Sequence, residues 1–461
     1  MSALRHIAVI DIGKTNAKLA LVDLDTLTEV SVVTRPNAVL AGPPWPHFDT
    51  EGHWVFLLSA LRDMHAQHHI DAISVTTHGA SVVLLENDGT LAAPILDYEH
   101  PIPEDVAAAY DALRPSFAET GSPRLSGGLN VGAQLHYQFA QDPTLLARTD
   151  QIIGYPQYWG HRLTGKTATD VTSIGCHTDL WEPYEGRLST LAARLGVTDK
   201  MAPVRKSSDV LGTILPEIAA QTGLDITTPV ACGIHDSNAS LYPHLLTQDG
   251  PFSIVSTGTW VVVMTVGEGV TRLDANRDTL INVNALGDPV PSARFMGGRE
   301  FEAIQGWHPF TTAQADVEHV LDSGLMLMPS VETGTGPFQG REMTWNGAEP
   351  AQGSGVRSVA LSYYLALMTD TCLRLTDATG PVIVEGPFSQ NQHYLDMLAA
   401  VTGRPVQRCH SATGTSVGAA LLFAETEQGA KEEGGTTADP IHQMVNYARQ
   451  WKIRVSKMNS E

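Results

Sequence analysis

The sequence has few cysteines, few basic side chains and no long hydrophobic run. Its 461 residues include four cysteines, and 29 lysines and arginines stand against 50 aspartates and glutamates. Four cysteines without a Cys-x-x-Cys pair give no disulfide framework or cysteine zinc site, and they predict buried, reduced thiols in a cytoplasmic protein. A net charge of −21 without a basic stripe argues against nucleic-acid binding. Because no apolar run reaches membrane-spanning length and no signal-peptide pattern is present, we expect no membrane partner.

The length and composition of the chain are typical of a two-domain enzyme. Apolar residues make up 43% of the sequence and charged residues 17%, which are the proportions of a compact chain rather than of a disordered or fibrous one. At 461 residues the chain is long for one hydrophobic core and sufficient for two α/β domains. Since the overall charge repels anions, a phosphate ligand must be held by local donors and a metal ion.

The stretch 7–23 predicts a β-hairpin with a polar tip. Apolar runs at 7–10 and 17–22 flank the turn Asp-Ile-Gly-Lys-Thr-Asn. A tip with glycine, a hydroxyl, an amide and an ammonium group offers donors to an oligophosphate without a bulky side chain in the way. An ordinary hairpin turn is the alternative, but it does not require so many polar groups. The candidate phosphate-binding residues are Gly13, Lys14, Thr15, Asn16 and Lys18.

A carboxylate and a second hairpin complete this pattern. Asp11 is badly placed for a bare anion, but it suits a hydrated Mg²⁺ that lies between its carboxylate and the phosphates. The stretch 252–266 repeats the hairpin, with Ser256 at the place of the aspartate and Gly258 and Thr259 in the turn. Two hairpins that open two similar halves predict a clamp on ATP.

These hairpins make the chain resemble the FGGY carbohydrate kinases, a branch of the actin, hexokinase and Hsp70-like ATPases. The resemblance implies an α/β fold of two similar ribonuclease-H-like domains, each a mixed sheet flanked by helices, with an interdomain cleft. It implies an N-terminal sugar-binding and catalytic domain at 1–244, a C-terminal nucleotide-binding domain at 245–461 and a hinge near 240–250. ATP and Mg²⁺ are the cofactors that it implies.

Two polar clusters follow predicted strands in the first half, at 77–80 and 96–99. Carboxylates, imidazoles and backbone groups bind sugar hydroxyls, although a single histidine at a strand end is more often structural. The resemblance places the ketose- or polyol-binding segments of the family at these positions. The tryptophan and arginine that are usual in the second segment are absent here. The candidate sugar-binding residues are His78, Gly79, Ala80, Asp97, Tyr98, Glu99 and His235.

A strand at 229–234 runs into His-Asp-Ser-Asn, after which a helix begins. An aspartate at such a corner can accept a proton from a hydroxyl whose oxygen attacks phosphorus. The alternative is a helix N-cap, and both hold if Ser237 caps the helix while Asp236 points inward. The segment is similar to the catalytic-base segment of rhamnulose kinases, which implies that Asp236 is the catalytic base.

The segment 160–167 matches the Walker A pattern letter for letter. A true P-loop follows a buried strand and opens a helix, so that the helix N-terminus faces the phosphates. This segment follows an aromatic-rich helical stretch and leads into a poor helix start. We therefore interpret it as a coincidence.

The second half predicts an adenosine pocket between a helix at 356–376, a buried strand at 381–384 and the turn that follows the strand. A loop at 295–301 enters another helix, which in the family lies beside the nucleotide. Pro387 and Phe388 stand where the family has more glycine. The residues implied here are Gln305, Gly386, Pro387 and Asn391.

The resulting expectation is ATP-dependent phosphorylation of a ketose hydroxyl, with L-rhamnulose 1-phosphate as the first candidate product. L-Fuculose, a xylulose or another ketose or polyol is the nearest alternative, because hydroxyl stereochemistry is not written in residue spacing. A nucleotide-binding regulator of the same fold is the alternative from another class, and it would lack a substrate base. The expected partner is a small-molecule ketose or polyol, and a homodimer is the assembly considered.

Overall fold

The computed structural model describes residues 4–267, 269–306, 311–409, 414–424 and 442–458. These residues divide into two compact units. The first unit consists of 4–247, 281–289 and 414–424, and the second contains the remaining described residues. The expected linear boundary between 244 and 245 differs from this division, because two short segments of the second half belong to the first unit.

Strands and helices alternate along the described residues. The strands are β1 (His6–Ile12), β2 (Asn16–Asp23), β3 (Thr28–Pro36), β4 (Val39–Leu40), β5 (His47–Phe48), β6 (Ala72–Thr77), β7 (Val82–Leu85), β8 (Gln151–Gly154), β9 (Thr169–Asp170), β10 (Trp181–Glu182), β11 (Arg187–Leu188), β12 (Val204–Arg205), β13 (Val210–Thr213), β14 (Pro229–Ala231), β15 (Ile234–His235), β16 (Phe252–Thr257), β17 (Val261–Val266), β18 (Thr279–Val283), β19 (Pro289–Phe295), β20 (Met326–Met328), β21 (Thr344–Asn346), β22 (Val382–Glu385) and β23 (Val406–Arg408). The α-helices are α1 (Thr50–His68), α2 (Glu104–Leu113), α3 (Phe117–Thr120), α4 (Val131–Gln141), α5 (Leu145–Arg148), α6 (Tyr155–Thr164), α7 (Val171–Ile174), α8 (Thr190–Arg194), α9 (Pro216–Thr222), α10 (Asp236–Thr247), α11 (Gly297–Gln305), α12 (Gln314–Ser323), α13 (Gly355–Leu375), α14 (Gln392–Thr402), α15 (Thr415–Ala420) and α16 (His442–Lys457). Short 3₁₀-helices cover Thr198–Lys200, Ala275–Arg277, Pro387–Gln390 and Leu421–Phe423.

The main sheet of the first unit has β1 near its centre. Strand β2 lies antiparallel on one side of β1, and β6 lies parallel on the other. The sheet continues from β2 to the edge strand β3, and from β6 through β14 to β13, while β15 also pairs in parallel with β6. Parallel strands end at the same sheet edge, so the residues that follow β1, β6 and β15 come together there.

The main sheet of the second unit repeats this arrangement. Strand β16 is antiparallel to β17 and parallel to β22, and the sheet continues to β19 on one side and to β23 on the other. Asp11 in β1 faces Lys18 in β2, whereas Ser256 in β16 faces Val262 in β17. The predicted pair of mixed sheets with matching hairpins is therefore confirmed, and the two hairpins differ where the sequence predicted.

Both faces of the first sheet are buried, which explains the continuous apolar run of β1. Ala8 and Ile10 belong to the core that includes α1, whereas Ile7 and Val9 belong to the core that includes α10 and α15. The side chain of Asp49 accepts the backbone N–H of Gly52 and caps α1, as helix-start chemistry predicts.

The Walker A-like segment lies at the end of α6, and Gly165 closes that helix in the left-handed conformation. The segment does not open a helix, which confirms that it is not a P-loop. Within the described ranges, no helix combines the length and the apolar character needed to cross a membrane.

Candidate active site

The tip of the β1–β2 hairpin presents the predicted phosphate-binding residues. The backbone N–H of Gly13 donates to the carbonyl of Asn16 at 2.9 Å and closes the turn, on which Thr15 and Asn16 are exposed. Nζ of Lys18 lies 3.2 Å from Oδ2 of Asp11 and 3.2 Å from Oε1 of Glu29. Lys18 thus balances two carboxylates beside the turn of the hairpin.

A chain of hydrogen bonds supports this turn from behind. Nδ2 of Asn37 donates to the carbonyl of Gly13 at 2.7 Å, and Oδ1 of Asn37 lies 2.8 Å from Nε2 of His53. Nη1 of Arg35 lies 2.8 Å from Nδ1 of His53, and Nη2 of the same guanidinium donates to Asp49 at 2.5 Å. Because an arginine can only donate, Nδ1 of His53 is the acceptor and Nε2 carries the proton.

The structure places Lys14 differently from the sequence-based expectation. Its ammonium group forms an ion pair with Asp97 and lies 3.1 Å from Oε2 of Glu99. It also lies 4.6 Å from the ring centroid of Tyr98. Lys14 therefore contacts the three candidate sugar-binding residues of the segment 96–99, although it was expected among the phosphate ligands. Spacing along the hairpin could not reveal this, because the partners lie more than eighty residues away along the chain.

His78 is a neutral, buried imidazole with one unused nitrogen. Its Nδ1 donates to the carbonyl of Gly79 at 2.8 Å, while Nε2 has no hydrogen-bond partner in the described structure. Burial lowers the pKa of His78 to about 4, so Nε2 keeps its lone pair at neutral pH. The centroid of its ring lies 5.2 Å from the ring centroid of Tyr98 and 5.0 Å from that of Phe48. This nitrogen can accept a hydrogen bond from a ligand hydroxyl.

Gly79 and Ala80 form the backbone next to His235. A Cβ added to Gly79 would lie 2.5 Å from Nε2 of His235, so only glycine leaves room for that ring. Ala80 has a positive φ of 55°, and its carbonyl accepts Nε2 of Gln134 at 2.5 Å. These two predicted residues act through their backbone.

Asp236 is the first residue of α10, and its hydrogen bonds converge on one oxygen. Oδ1 lies 3.1 Å from Nε2 of His235 and accepts the backbone N–H of Ser237 at 2.6 Å. The hydroxyl of Ser237 also donates to Oδ1 at 3.3 Å. Ser237 does not cap α10 as expected, because the helix begins at Asp236 and Ser237 lies inside it. Oδ2 accepts no hydrogen bond from the described residues, which leaves this oxygen for a ligand.

The electrostatics keep Asp236 ionised. Burial alone would raise its pKa, but the charge and hydrogen bond of His235 outweigh burial and lower it. Burial is the main cause that raises the pKa of Asp11, the Lys18 ammonium opposes it, and the charge of Asp236 adds to the rise. Burial and the charges of Glu99 and Asp236 raise the pKa of Tyr98 to about 12. The two aspartates and the sugar segment thus influence one another within one site of the first unit.

Sequence reasoning missed Cys176 and His177. Burial alone would raise the pKa of the Cys176 thiol, but the neighbouring imidazoles of His177 and His235 lower it to about 5. A cysteine far from the Asp236 segment in sequence carries no signal of this contact.

A cavity of about 680 Å³ lies in the second unit, beside the second hairpin tip. Its lining residues are Gly258, Thr259, Gly298, Arg299, Phe301, Glu302, Thr312, Pro387, Phe388, Gln390, Asn391, Gln392 and His393. The rings of Phe301 and Phe388 are 6.0 Å apart and form an apolar wall among polar side chains. The volume and the mixed lining suit a nucleoside.

The predicted nucleotide residues divide between the wall of this cavity and its support. Gly258, Thr259, Pro387 and Asn391 line it, and Asn391 also binds Ser362 through Nδ2 at 2.9 Å. Gly386 packs against the second hairpin, since an added Cβ would lie 1.9 Å from the carbonyl of Thr257. Gln305 does not line the cavity: it is buried at the end of α11, where it accepts the hydroxyl of Ser358 at 2.9 Å.

The donors of the first unit fit a magnesium ion. Asp11 supplies a carboxylate oxygen, the ligand type that Mg²⁺ prefers, and its side chain retains 16% exposure. Burial raises the pKa of this carboxyl more than Lys18 lowers it, and a bound cation would stabilise the charged form.

Two α/β units with the same strand pattern, one with a carboxylate-rich site and one with a nucleoside-sized cavity, define the fold class of the two-domain carbohydrate kinases. The chain belongs to the FGGY family of carbohydrate kinases. The N-terminal domain of that family matches residues 6–242, and the C-terminal domain, described as "Carbohydrate kinase FGGY, C-terminal domain", matches residues 249–432.

Individual relatives agree with this assignment. The crystal structure of a carbohydrate kinase from Novosphingobium aromaticivorans is 34% identical, with a TM-score of 0.90 over 99% of this chain and 100% of that one. L-Fuculokinase of Escherichia coli K12 is 25% identical over 269 residues, which cover 56% of this chain and 56% of that protein. Rhamnulokinase of Bacillus subtilis is 28% identical over 131 residues, which cover 28% of this chain and 27% of that protein. The chain thus spans just over half the length of the first of these curated relatives.

Proposed function

We propose that the protein transfers the γ-phosphoryl group of ATP to a hydroxyl group of a ketose. The observation that carries this proposal is the ionised carboxylate of Asp236, with Oδ1 occupied by His235 and Ser237 and with Oδ2 directed to no other described residue. Oδ2 accepts the proton of the sugar hydroxyl while the sugar oxygen bonds to phosphorus and ADP leaves. Family membership and the nearby sugar segment support this assignment.

ATP and Mg²⁺ are the cofactors of the proposal. In the first unit, Asp11 would hold the metal through water, and the turn with Gly13, Thr15 and Asn16 would hold phosphate oxygens. The metal supplies neutralisation of the triphosphate charge when it is bound. In the second unit, Gly258 and Thr259 would contact phosphates, and the cavity lined by Pro387 and Asn391 would hold the nucleoside. Lys18 would keep Asp11 in place.

The proposed sugar site combines a neutral hydrogen-bond acceptor with negatively charged ones. Nε2 of His78 accepts one hydroxyl, and the carboxylates of Asp97 and Glu99, oriented by Lys14, accept others. L-Rhamnulose, giving its 1-phosphate, is the first candidate, because the His-Asp-Ser and Ser-Thr-Gly-Thr-Trp segments are similar to those of rhamnulose kinases. L-Fuculose is the second candidate, since the match to L-fuculokinase is twice as long as the match to rhamnulokinase.

A coupled ADP-release assay over a panel of ketoses and polyols, with wild type and Asp236→Asn, tests the proposal. Loss of the base should reduce kcat by about 1,000-fold or more and leave ATP binding, measured by calorimetry, within about twofold. Asp63→Asn, an exposed change on α1, is the matched control and should behave as wild type. Unchanged turnover in Asp236→Asn would remove this residue from the mechanism, and ATP turnover that no sugar stimulates would favour a nucleotide-binding regulator.

A further inference from the structure

The cationic side chains of the first hairpin are already neutralised by carboxylates. The ammonium group of Lys14 is shared by two carboxylates of the sugar segment, and that of Lys18 lies 3.2 Å from both Asp11 and Glu29. The turn of the second hairpin, 257–260, contains no lysine or arginine. Because the net charge of the protein is −21, a cation beside these turns would stabilise bound phosphate most directly.

Helix α11 begins directly against the turn of the second hairpin. The backbone N–H of Gly298 donates to the carbonyl of Thr259 at 3.1 Å. A Cβ added to Gly298 would lie 2.1 Å from the carbonyl oxygen of Gly258, so only glycine permits this close approach. Arg299 follows in the first turn of α11 and lines the same cavity as the hairpin turn. The sequence thus places a guanidinium group beside a proposed phosphate-binding turn.

The guanidinium group of Arg299 is held only loosely by its neighbours. Its Nε lies 3.9 Å from Oε1 of Glu332, which is too long for a hydrogen bond. Its Nη1 lies 3.9 Å from the sulfur of Met296, a weak acceptor. The side chain is 58% exposed, so a ligand in the cavity can reach these donors.

Arg294, which lies near the same hairpin, differs in this respect. Its Nε donates to Oδ1 of Asp278 at 2.8 Å, and its guanidinium carbon lies 4.7 Å from the ring centroid of Trp260. Its charge is therefore balanced by a carboxylate, and its planar group already contacts an aromatic ring. Arg294 supports the hairpin, whereas Arg299 keeps its donors for another partner.

Two other ionisable side chains line the cavity. Burial lowers the pKa of His393, whose Nε2 lies 2.9 Å from the hydroxyl of Thr312, so this imidazole is neutral at pH 7. Glu302 is exposed and lies one turn further along α11, about 4.5 Å along the helix axis from Arg299. Among the described lining residues, the positive charge at neutral pH therefore comes from Arg299 and lies at the hairpin end.

We propose that Arg299 binds the phosphate groups that remain on ADP after transfer. The inference rests on the nucleotide site of the kinase proposed above. The planar guanidinium group donates two parallel hydrogen bonds to phosphate oxygens, while the wall formed by Phe301 and Phe388 contacts the nucleoside. Negative charge grows on these phosphates as the γ-phosphoryl group leaves, so the same contact also stabilises the departing ADP.

Binding of ADP and of adenosine to Arg299→Met tests the inference without relying on activity. The Kd for ADP with Mg²⁺, measured by calorimetry, should rise about 10- to 100-fold, which is the effect of losing a charge-assisted contact. The Kd for adenosine, measured by ligand-observed NMR, should stay within about twofold of wild type, because adenosine has no phosphate. Arg299→Lys keeps the charge but not the planar fork, so it should recover part of the lost ADP affinity.

Arg374→Met is the matched control variant. Arg374 lies on α13 in the same unit, its side chain is 62% exposed, and it does not line the cavity. Its partner Asp370 keeps a second cation, Lys452, at 2.7 Å. The control should therefore bind ADP and adenosine as wild type does. Thermal melting of all variants reports whether they fold.

Two results would overturn the inference. One is an Arg299→Met protein that binds ADP as tightly as wild type, and the other is an equal loss of ADP and adenosine affinity, which would indicate a distorted cavity. Either result, together with sugar phosphorylation by the wild-type protein, would leave the kinase proposal intact. A wild-type protein that binds neither ADP nor adenosine would contradict the proposed nucleotide site, and the inference would fail with it.

Discussion

Single histidines in the first unit differ in protonation because their surroundings differ. His78 is buried among aromatic rings and neutral, so it offers a lone pair. Burial alone would lower the pKa of His235, but the charges of Cys176 and Asp236 raise it well above its ordinary value, so the ring stays protonated and donates to Oδ1 of Asp236. His53 accepts from Arg35, and burial followed by the arginine charge lowers its pKa to about 4. One residue type thus provides a hydrogen-bond acceptor, a charged donor and structural support.

Replacing Lys14 tests its placement against the sugar segment. In Lys14→Met, the carboxylates of Asp97 and Glu99 lose their shared cation, so their orientation and their mutual repulsion both worsen. We expect the KM for the sugar to rise about 10- to 100-fold while the KM for ATP changes less than about threefold, since one charge-assisted contact is worth a few kcal/mol. Initial-rate kinetics with each substrate varied in turn measures both constants.

Lys166→Met is the matched control for this experiment. Lys166 is exposed and belongs to the Walker A-like segment at the end of α6, so its loss should leave both constants unchanged. A Lys14→Met enzyme that loses ATP affinity instead of sugar affinity would show that Lys14 binds phosphate, as spacing alone predicted.

At the scale of elements, the β1–β2 hairpin depends on strand β3 and helix α1. Hydrogen bonds link Asp49 through Arg35, His53 and Asn37 to Gly13. The donor and the acceptor of each bond are fixed, because the arginine can only donate and this sets the tautomer of His53. To bind phosphate as proposed above, the turn must be held in shape before the ligand arrives. The support from α1 provides this preorganisation.

Acid should break this support, and His53→Gln should remove part of the acid sensitivity. The pKa of His53 is about 4 in the folded protein and 6.5 as its ordinary value, so between these pH values the unfolded chain binds more protons. The free energy of unfolding therefore falls as the pH falls from 7 to 5, by about 2 kcal/mol from this residue. Urea unfolding at both pH values should show a smaller decrease for His53→Gln than for wild type.

The exposed His319 on α12 provides the control variant. His319→Gln should keep the wild-type decrease between pH 7 and pH 5. An equal decrease in wild type and His53→Gln would mean that His53 titrates normally and that the deduced hydrogen-bond directions are wrong.

For the whole molecule, the sequence predicted those strands and helices whose burial produces a recognisable pattern of apolar residues. The apolar run at 7–10 is continuous because β1 is a central strand, and β16 is likewise central in the second sheet. The polar turns that follow these two strands identify the repeated hairpin. The end of β15 identified Asp236 for the same reason. Local pattern and chain order were sufficient for the class of fold and for the base proposed here.

Contacts between distant parts of the chain could not be predicted in this way. Lys14 binds Asp97 because β1 ends beside the loop that carries this carboxylate, and Thr172 meets His235 because α7 packs on the end of β15. The return of segments 281–289 and 414–424 to the first unit likewise depends on packing alone. Such contacts carry much of the chemistry of the site, whereas the elements only bring them within reach.

Phosphorus NMR of the wild-type protein with ATP, Mg²⁺ and L-rhamnulose tests the central claim most directly. The account predicts one new phosphomonoester resonance of the sugar for each ADP formed, and little ADP when the sugar is omitted. The same spectra with L-fuculose and D-xylulose distinguish the candidate substrates. Inorganic phosphate as the product, at a rate that none of these ketoses changes, would contradict the account.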